Sequence, residues 1–202
     1  MNKSSKLVQG IGTKGTTHPT WDGNKMLKEY AVWGSMLLRC TEKLWSKRST
    51  YHGTTCSENF KSYTFFYEWC QSQVGFGNVD ENSKSWHLDK DLLVKGNKVY
   101  DENVCLFLPA TINQLLTKRE NGRGEYPLGV SKHKIDNKYS ATCSLGKANP
   151  TFLGYYSTPI EAFLVYKKAK EAYIKQVAEQ YKDVIDPRAY KALLEYEVNI
   201  ED

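Results

Sequence analysis

Apolar and polar positions alternate with a period of two over Tyr139 to Leu145. Tyr139, Ala141, Cys143 and Leu145 share one face, and Ser140, Thr142 and Ser144 share the other. This predicts a half-buried strand. Before it, Leu128 to Lys132 is a short strand, and His133 to Lys138 is a turn whose Asp136-Asn137 tip tolerates positive φ. After it, Gly146 to Pro150 is a second turn and Thr151 to Tyr156 a third strand. The three strands close an antiparallel meander. The period then becomes helical. Ser157 or Thr158 caps a helix with Pro159 at its first position, and Glu161 in the first turn suits the helix dipole. Ala162, Val165, Tyr166, Ala169 and Tyr173 recur at helical spacing and cover the sheet's apolar face, while Lys167, Lys168, Lys170 and Lys175 stay in solvent.

The rest of the chain is less regular. Residues 1–24 are polar, glycine-bearing and aperiodic and read as a flexible or loosely packed arm. From Lys25 to Leu44, Leu27, Tyr30, Ala31, Trp33, Leu37 and Leu38 sit at spacings of an amphipathic helix, with Trp33 and Met36 in the core. Trp45 to Phe60 reads as a loop, Tyr63 to Cys70 as a short aromatic helix, and Gln71 to Ser85 as another polar loop. In Trp86 to Asn113 a strand leads to a hairpin turn at Gly96-Asn97, a second apolar strand spans Val104 to Leu108, and Pro109 starts a short helix through Leu116. Thr117 to Glu125 is a charged, glycine-containing linker in which Lys118, Arg119 and Arg123 either follow a DNA backbone or are simply solvated. Asp186 caps a terminal helix that starts at Pro187, and its stripe of Ala189, Tyr190, Leu193 and Leu194 docks on the chain's own core or forms a weak homodimer contact.

These elements give an α+β fold. Residues 25–116 form one lobe, 117–125 a linker, 126–180 a three-stranded antiparallel sheet packed on a helix, and 181–202 a terminal helix. With 202 residues, 40% of them hydrophobic, the chain can bury a core. A net charge of +5 favours an anionic partner without requiring one. No apolar run approaches membrane-spanning length and the first fifteen residues carry no apolar signal core, so a cytoplasmic location without membrane association is expected. The five cysteines are an odd number without a closely spaced pair, which favours reduced buried thiols. A zinc site from Cys40, Cys56, Cys105 and His52 lacks the paired spacing such sites use, so zinc is not expected.

The helix leaves one sheet face open, where Lys132, Lys134, Lys138 and Lys147 surround small hydroxyls. A cationic ribbon of that width fits a DNA major groove, although a solvated sheet with ordinary surface lysines would show the same composition. Leu128-Gly129-Val130, Lys138-Tyr-Ser-Ala-Thr-Cys143, Phe152-Leu-Gly-Tyr-Tyr-Ser-Thr-Pro-Ile-Glu-Ala162 and the Tyr166-Lys-Lys-Ala169 helix resemble the APETALA2/ethylene-response-factor DNA-binding domain, which also occurs in phage endonucleases. The resemblance implies that the sheet reads the major groove of double-stranded DNA. It places Ser131, Lys132, Lys138, Tyr139, Ser140, Thr142 and Ser144 outward, with Lys134 and Lys147 on the flanks. Ser131, Ser144 and Tyr139 stand where plant members carry arginines and a tryptophan, so no target site carries over.

Leu88-Asp-Lys-Asp91, the Gly96-Asn97 turn, Tyr100, Asn103-Val-Cys105 and Ile112-Asn113 resemble the His-Asn-His (HNH) nuclease motif of phage homing endonucleases. Trp33, Met36, Arg39-Cys40, Cys56, Phe60 to Trp69 and Ile185 to Val198 resemble segments that accompany the motif in such proteins. The likeness implies a small ββα-metal lobe with a Mg²⁺ or Mn²⁺ ion on the scissile phosphate. It also implies catalytic roles among His87, Asp89, Lys90, Asp91, Asn103 and Asn113, and Asp89, Asp91 and Asn103 as metal ligands. The position of the general-base histidine is held by Lys90, and an ordinary lysine, with a pKa near 10.4, is protonated at neutral pH. Three readings stay open. His87 serves as base with Asp89 or Asp91 on the metal; or the two aspartates hold the metal while Lys90 or Lys95 stabilises the phosphorane; or the cluster is structural. The expected function is a site-selective, metal-dependent phage or mobile-element endonuclease of homing or nicking type. The alternative is a non-cleaving DNA-binding regulator or counter-defence protein, and a third class is an adaptor using the aromatic helices.

Overall fold

The computed structural model describes residues 6–81, 83–117, 125–134 and 136–202. Lys118, Arg119 and Arg123 lie outside the described residues. The fold is mixed α+β, with six α-helices and small sheets among the described residues. It divides into two compact units, Met1–Ala110 with Val184–Ala189, and Thr111–Asp183 with Tyr190–Asp202. The boundary therefore falls at the start of a helix rather than in the charged run after it.

The first unit opens with a two-residue hairpin, β1 (Trp21–Asp22) and β2 (Lys25–Met26). Much of the stretch expected to be a loose arm is pinned down. The Thr13 N–H donates to the Lys61 carbonyl at 2.8 Å and the Tyr63 N–H to the Thr13 carbonyl at 3.0 Å. A side chain at Gly12 would collide with Trp33 and Leu37. Helix α1 (Lys28–Arg39) buries Trp33, Met36 and Leu37, as its spacing predicts. The helix expected through Leu44 is broken after Cys40. Thr41 is extended at φ −117°, ψ 145° and its hydroxyl donates to the Leu38 carbonyl, so α2 (Glu42–Trp45) starts afresh.

The expected loop from Trp45 to Phe60 contains β3 (Thr55–Cys56), and helix α3 (Tyr63–Gln71) follows. Ser62 caps α3 by accepting the Phe65 N–H. Tyr63, Phe66 and Cys70 point inward, and Tyr30 and Trp33 of α1 pack on the Tyr63 ring. The Trp33 indole donates to the Phe60 carbonyl at 2.8 Å, so this fully buried ring keeps its polar atom satisfied.

Strand β4 (His87–Asp89) is followed by β5 (Val99–Tyr100) and β6 (Leu106–Leu108), then helix α4 (Ala110–Leu116). The two strands expected on either side of the Gly96-Asn97 turn do pair, β4 antiparallel with β6, while β5, which lies between them in the chain, was not expected and pairs parallel with β3. A turn is present, with Gly96 at φ 79°, but Asn97 spends its amide on local backbone groups, as described below. Near the end of the chain, the Asp186 carboxylate accepts the Arg188 N–H and the Arg188 guanidinium, which reaches on to the Asn103 carbonyl at 2.9 Å. This ties 184–189 to the first unit.

The second unit contains β7 (Val130–Lys132), β8 (Tyr139–Cys143) and β9 (Thr151–Tyr156), an antiparallel sheet in that order, and helix α5 (Pro159–Tyr181). The meander and the helix start are as expected, with Asn137 at φ 54° in the first turn. Thr158 accepts the Glu161 N–H at 3.2 Å, and the Glu161 carboxylate accepts the N–H groups of Ser157 and Thr158 at 3.0 and 3.2 Å, a complete capping box. Val130, Ala141 and Cys143 are buried on the helix side, together with Ala162, Phe163, Ile174, Val177 and Ala178 of α5. Gly129, at φ 74°, lies directly beneath the Tyr166 ring, where any Cβ would overlap it. Lys170, expected in solvent, is half-buried on this helix, and burial pushes its ammonium below the ordinary lysine range.

The last helix, α6 (Pro187–Leu194), has Ala189 and Leu193 fully buried within the single chain. The centre of the stripe considered for a homodimer is thus already covered. Beyond it, the Val198 N–H and carbonyl bond Glu171 and Lys167 of α5 at 2.8 and 2.7 Å, holding the tail down. No helix among the described residues is long and apolar enough to cross a membrane.

Candidate functional site

The outer face of the β7–β8–β9 sheet follows from its register. Ser131 pairs with Ser140, Ser140 with Tyr155, and Thr142 with Phe152, and all five lie opposite the α5 side. Residues that pair directly across antiparallel strands share a face. The same rule corrects two expectations. Lys132 pairs with Tyr139, one step from the Val130–Ala141 pair along each alternation, so both belong to the helix side of the sheet. Tyr139 is half-buried with its ring edge-on to Tyr126, 5.3 Å between centroids, whereas Lys132 stays exposed at the end of its strand. Tyr139 is therefore a packing residue, and Lys132 reaches a partner only around the sheet's end.

Of the other expected contacts, Ser131, Lys134, Lys138, Ser144 and Lys147 are exposed and Ser140 and Thr142 half-buried. Lys132, Lys134 and Lys138 cluster at the β7–β8 turn, and Lys147 stands in the β8–β9 turn. Successive turns of a meander lie at opposite ends, so the lysines bracket the face. The Ser140 hydroxyl donates to the Ser131 carbonyl at 3.2 Å and keeps its lone pairs for an incoming donor.

Two large residues on this face escaped the sequence reading. Phe152 and Tyr155 are 54% and 49% exposed, with ring centroids 5.0 Å apart at 61°. His133 lies edge-on to Tyr155 at 5.0 Å, and its Nδ1 is 2.7 Å from the Asp136 carboxylate. Strict alternation puts positions three apart on opposite faces. Here the register shifts between Ala141 and Thr142, β9 holds one extra residue, and Gly154 adopts φ 127°. The bulge swings Phe152 onto the side of Tyr155, and Gly154 was its only trace in the sequence.

The β4–β6 region is organised differently. Asp89 Oδ1 accepts the N–H groups of Asp91 at 3.1 Å and Leu92 at 2.9 Å, closing the turn after β4. Burial and the neighbouring Asp91 charge push its carboxyl up to about 6, although the two backbone donors pull the other way. Lys90 is only 8% exposed. Its ammonium donates to the Asn97 carbonyl at 2.7 Å, pairs with Asp91 at 3.2 Å and lies 5.9 Å from the centre of the Tyr100 ring. The Asn97 amide donates to the carbonyls of Lys90 and Val99, both at 2.7 Å, and its oxygen accepts the Val99 N–H. Lys90 is thus the bolt of a closed loop rather than a cation aimed at a phosphate.

The remaining expected catalytic residues do not converge. His87 is exposed on β4. The Asn103 side chain donates to Asp101 at 2.9 Å, and Asn113 falls in the other compact unit, where its carbonyl accepts the Thr117 hydroxyl. Asp89 and Asp91 come together as a carboxylate pair, but Asn103 is committed elsewhere. Among the described residues no group of three or more His, Cys, Asp or Glu side chains could hold a metal ion.

The cysteines considered for zinc are free thiols. Cys40 and Cys56 hydrogen-bond to each other, which holds the first thiol well above and the second below the usual range. Cys105 is buried, which pushes its thiol up to about 12. Comparison with protein-family models, with curated proteins and with solved structures finds no match to this chain.

Proposed function

We propose that the protein binds double-stranded DNA, with the open face of β7–β9 in the major groove and the lysines of its two turns on flanking phosphates. The observation that supports this reading is a sheet that, among the described residues, is sealed by α5 on one side only. Its other side offers hydroxyls and exposed rings between cationic ends. A three-stranded face about 10 Å across, at about 4.8 Å per strand, matches a major groove about 12 Å wide. Hydroxyls at base edges and lysines on phosphates divide the work into recognition and positioning. The resemblance to the APETALA2/ethylene-response-factor domain supports the same placement.

The test is equilibrium binding to duplex DNA by fluorescence anisotropy across a salt series, with Lys132→Ala, Lys138→Ala and Lys147→Ala combined. Loss of three phosphate contacts should weaken binding about tenfold or more at low salt and flatten the log–log salt slope by about 2 to 3. An unchanged slope would sink the assignment.

A second reading, cleavage by an HNH-type lobe, draws support from two features. β4 and β6 pair antiparallel and α4 follows β6 in sequence, and burial pushes the Asp89 carboxyl up to about 6 beside Asp91. Its test is incubation of supercoiled and linear DNA with Mg²⁺, Mn²⁺ or EDTA, using wild type, Asp89→Ala and Asn103→Ala. Metal-dependent nicking abolished by both substitutions would establish an endonuclease of homing or nicking type. Binding without cutting is the expected result, because Lys90, at the position of the general base, is already bonded within the chain. The protein would then act by occupying DNA, as a regulator or counter-defence protein does.

A further inference from the structure

The bulge in β9 creates two side-by-side pairs on the open face, each a hydroxyl next to an aromatic ring: Thr142 beside Phe152 and Ser140 beside Tyr155. Directly paired residues of an antiparallel ladder have Cβ atoms about 4.5–5.5 Å apart, so each pair presents a polar and an apolar group to the same small patch. The exposed rings are costly to leave in water. Half of each remains uncovered although both touch a neighbouring ring, which marks the patch as one that something apolar covers.

The major-groove edge of one base matches that pattern. Thymine places its O4 acceptor beside a C5 methyl, the one apolar group on any base edge in this groove, and Phe or Thr methyl contacts recognise it. We infer, resting on the DNA-binding reading above, that the Thr142–Phe152 and Ser140–Tyr155 pairs read thymine methyl groups, so that this face selects A·T-rich duplex. Thr142 supplies a hydroxyl donor for O4. Ser140, whose proton goes to the Ser131 carbonyl, offers an acceptor suited to the adenine amino group of the same base pair. The lysines at both ends supply charge complementarity, which Asp136, paired with Lys138 and His133, offsets only in part at the β7–β8 turn, since Lys132 and Lys134 stand there too.

Stacking of unpaired bases fits less well. A stacking platform offers ring faces to successive bases, whereas these two rings are tilted at 61° and pack against each other.

The experiment uses the full chain and synthetic duplexes of alternating A·T, the same duplex with uracil in place of thymine, a G·C duplex and single-stranded oligo-dT. Uracil removes only the methyl group. Wild type should bind the thymine duplex about three- to fivefold more tightly than the uracil duplex for each methyl buried. Phe152→Ser should remove the share due to its own methyl, about three- to fivefold, and leave that of Tyr155, whereas Phe152→Leu, which keeps an apolar side chain and guards against a folding artefact, should retain the full ratio. Equal affinity for thymine and uracil duplexes with a normal salt slope would overturn the thymine inference and leave DNA binding intact. Tighter binding to oligo-dT than to any duplex would overturn it in favour of stacking. No salt-dependent binding to any of the four probes would instead remove the DNA-binding reading on which it rests.

Discussion

The sheet of the second unit and the carboxylate–amide loop of the first both carry polar residues that a motif would assign to nucleic-acid chemistry, but they use them in opposite ways. On the sheet, helix α5 satisfies one side, and Ser131, Thr142, Phe152 and Tyr155 face outward. In the loop after β4, Asp89, Lys90 and Asn97 bond their own neighbourhood, and Asn103 bonds Asp101. A residue type at a suggestive spacing becomes a site only when its polar atoms are left for a ligand. The same chemistry consumed by backbone partners is a fold determinant.

Removing Lys90 should break this contrast most forcefully. Lys90→Ala strands the Asn97 carbonyl and leaves Asp91 without its cation. A cost of about 3 kcal/mol or more in chemical denaturation is expected, with no change in DNA affinity per folded molecule. A variant of wild-type stability that loses DNA binding would show that Lys90 faces a ligand after all.

On the sheet side, Gly129→Ala forces a left-handed backbone on alanine and drives its Cβ into Tyr166. About 2 to 4 kcal/mol of destabilisation should follow, because α5 must lift from β7. Wild-type thermal stability would mean that the sheet's closed side is looser than its packing indicates.

The smallest effect concerns Asp89. Its folded carboxyl titrates at about 6, above the ordinary value of about 3.9, so the folded state binds the extra proton. The ionised group therefore penalises the fold above pH 6, and the penalty fades as pH falls from about 6 toward 4. Asp89→Asn keeps the oxygen that accepts the Asp91 and Leu92 N–H groups. It should raise stability at pH 7.5 by about 1 to 2 kcal/mol and remove this local gain on acidification. A loss of stability at pH 7.5 would indicate that the negative charge is wanted there, as metal binding would require.

Much of the second unit was legible because local signals agree with one another. Alternation in β8, the Asp136-Asn137 turn and the Thr158-Pro159-Ile160-Glu161 start all point to a meander and a capped helix, and each is set by near neighbours. The first unit was legible in its helices, where Trp33, Met36, Tyr63 and Phe66 mark the buried faces. Its strands were legible only in part: β4 and β6 fall where strands were expected and pair with each other, whereas β3 and β5 were not foreseen. Two- and three-residue strands carry too little periodicity to announce a partner, and β5 pairs with β3, more than forty positions earlier, instead of with β4.

The candidate sites divide along the same line. The chain alone determined which stretch becomes a sheet with one apolar face, since a period of two fixes the facing of every residue in an unbroken strand. It also determined that cationic turns would bracket that sheet. Alternation had already put Tyr139 on the apolar face, against the resemblance, whereas only the tertiary structure decided that a bulge at Gly154 brings Phe152 beside Tyr155 and that Lys90 is buried among carbonyls. One inserted residue reverses the parity of a strand, and whether a polar side chain is free or spent depends on partners brought near by folding, neither of which spacing along the chain encodes.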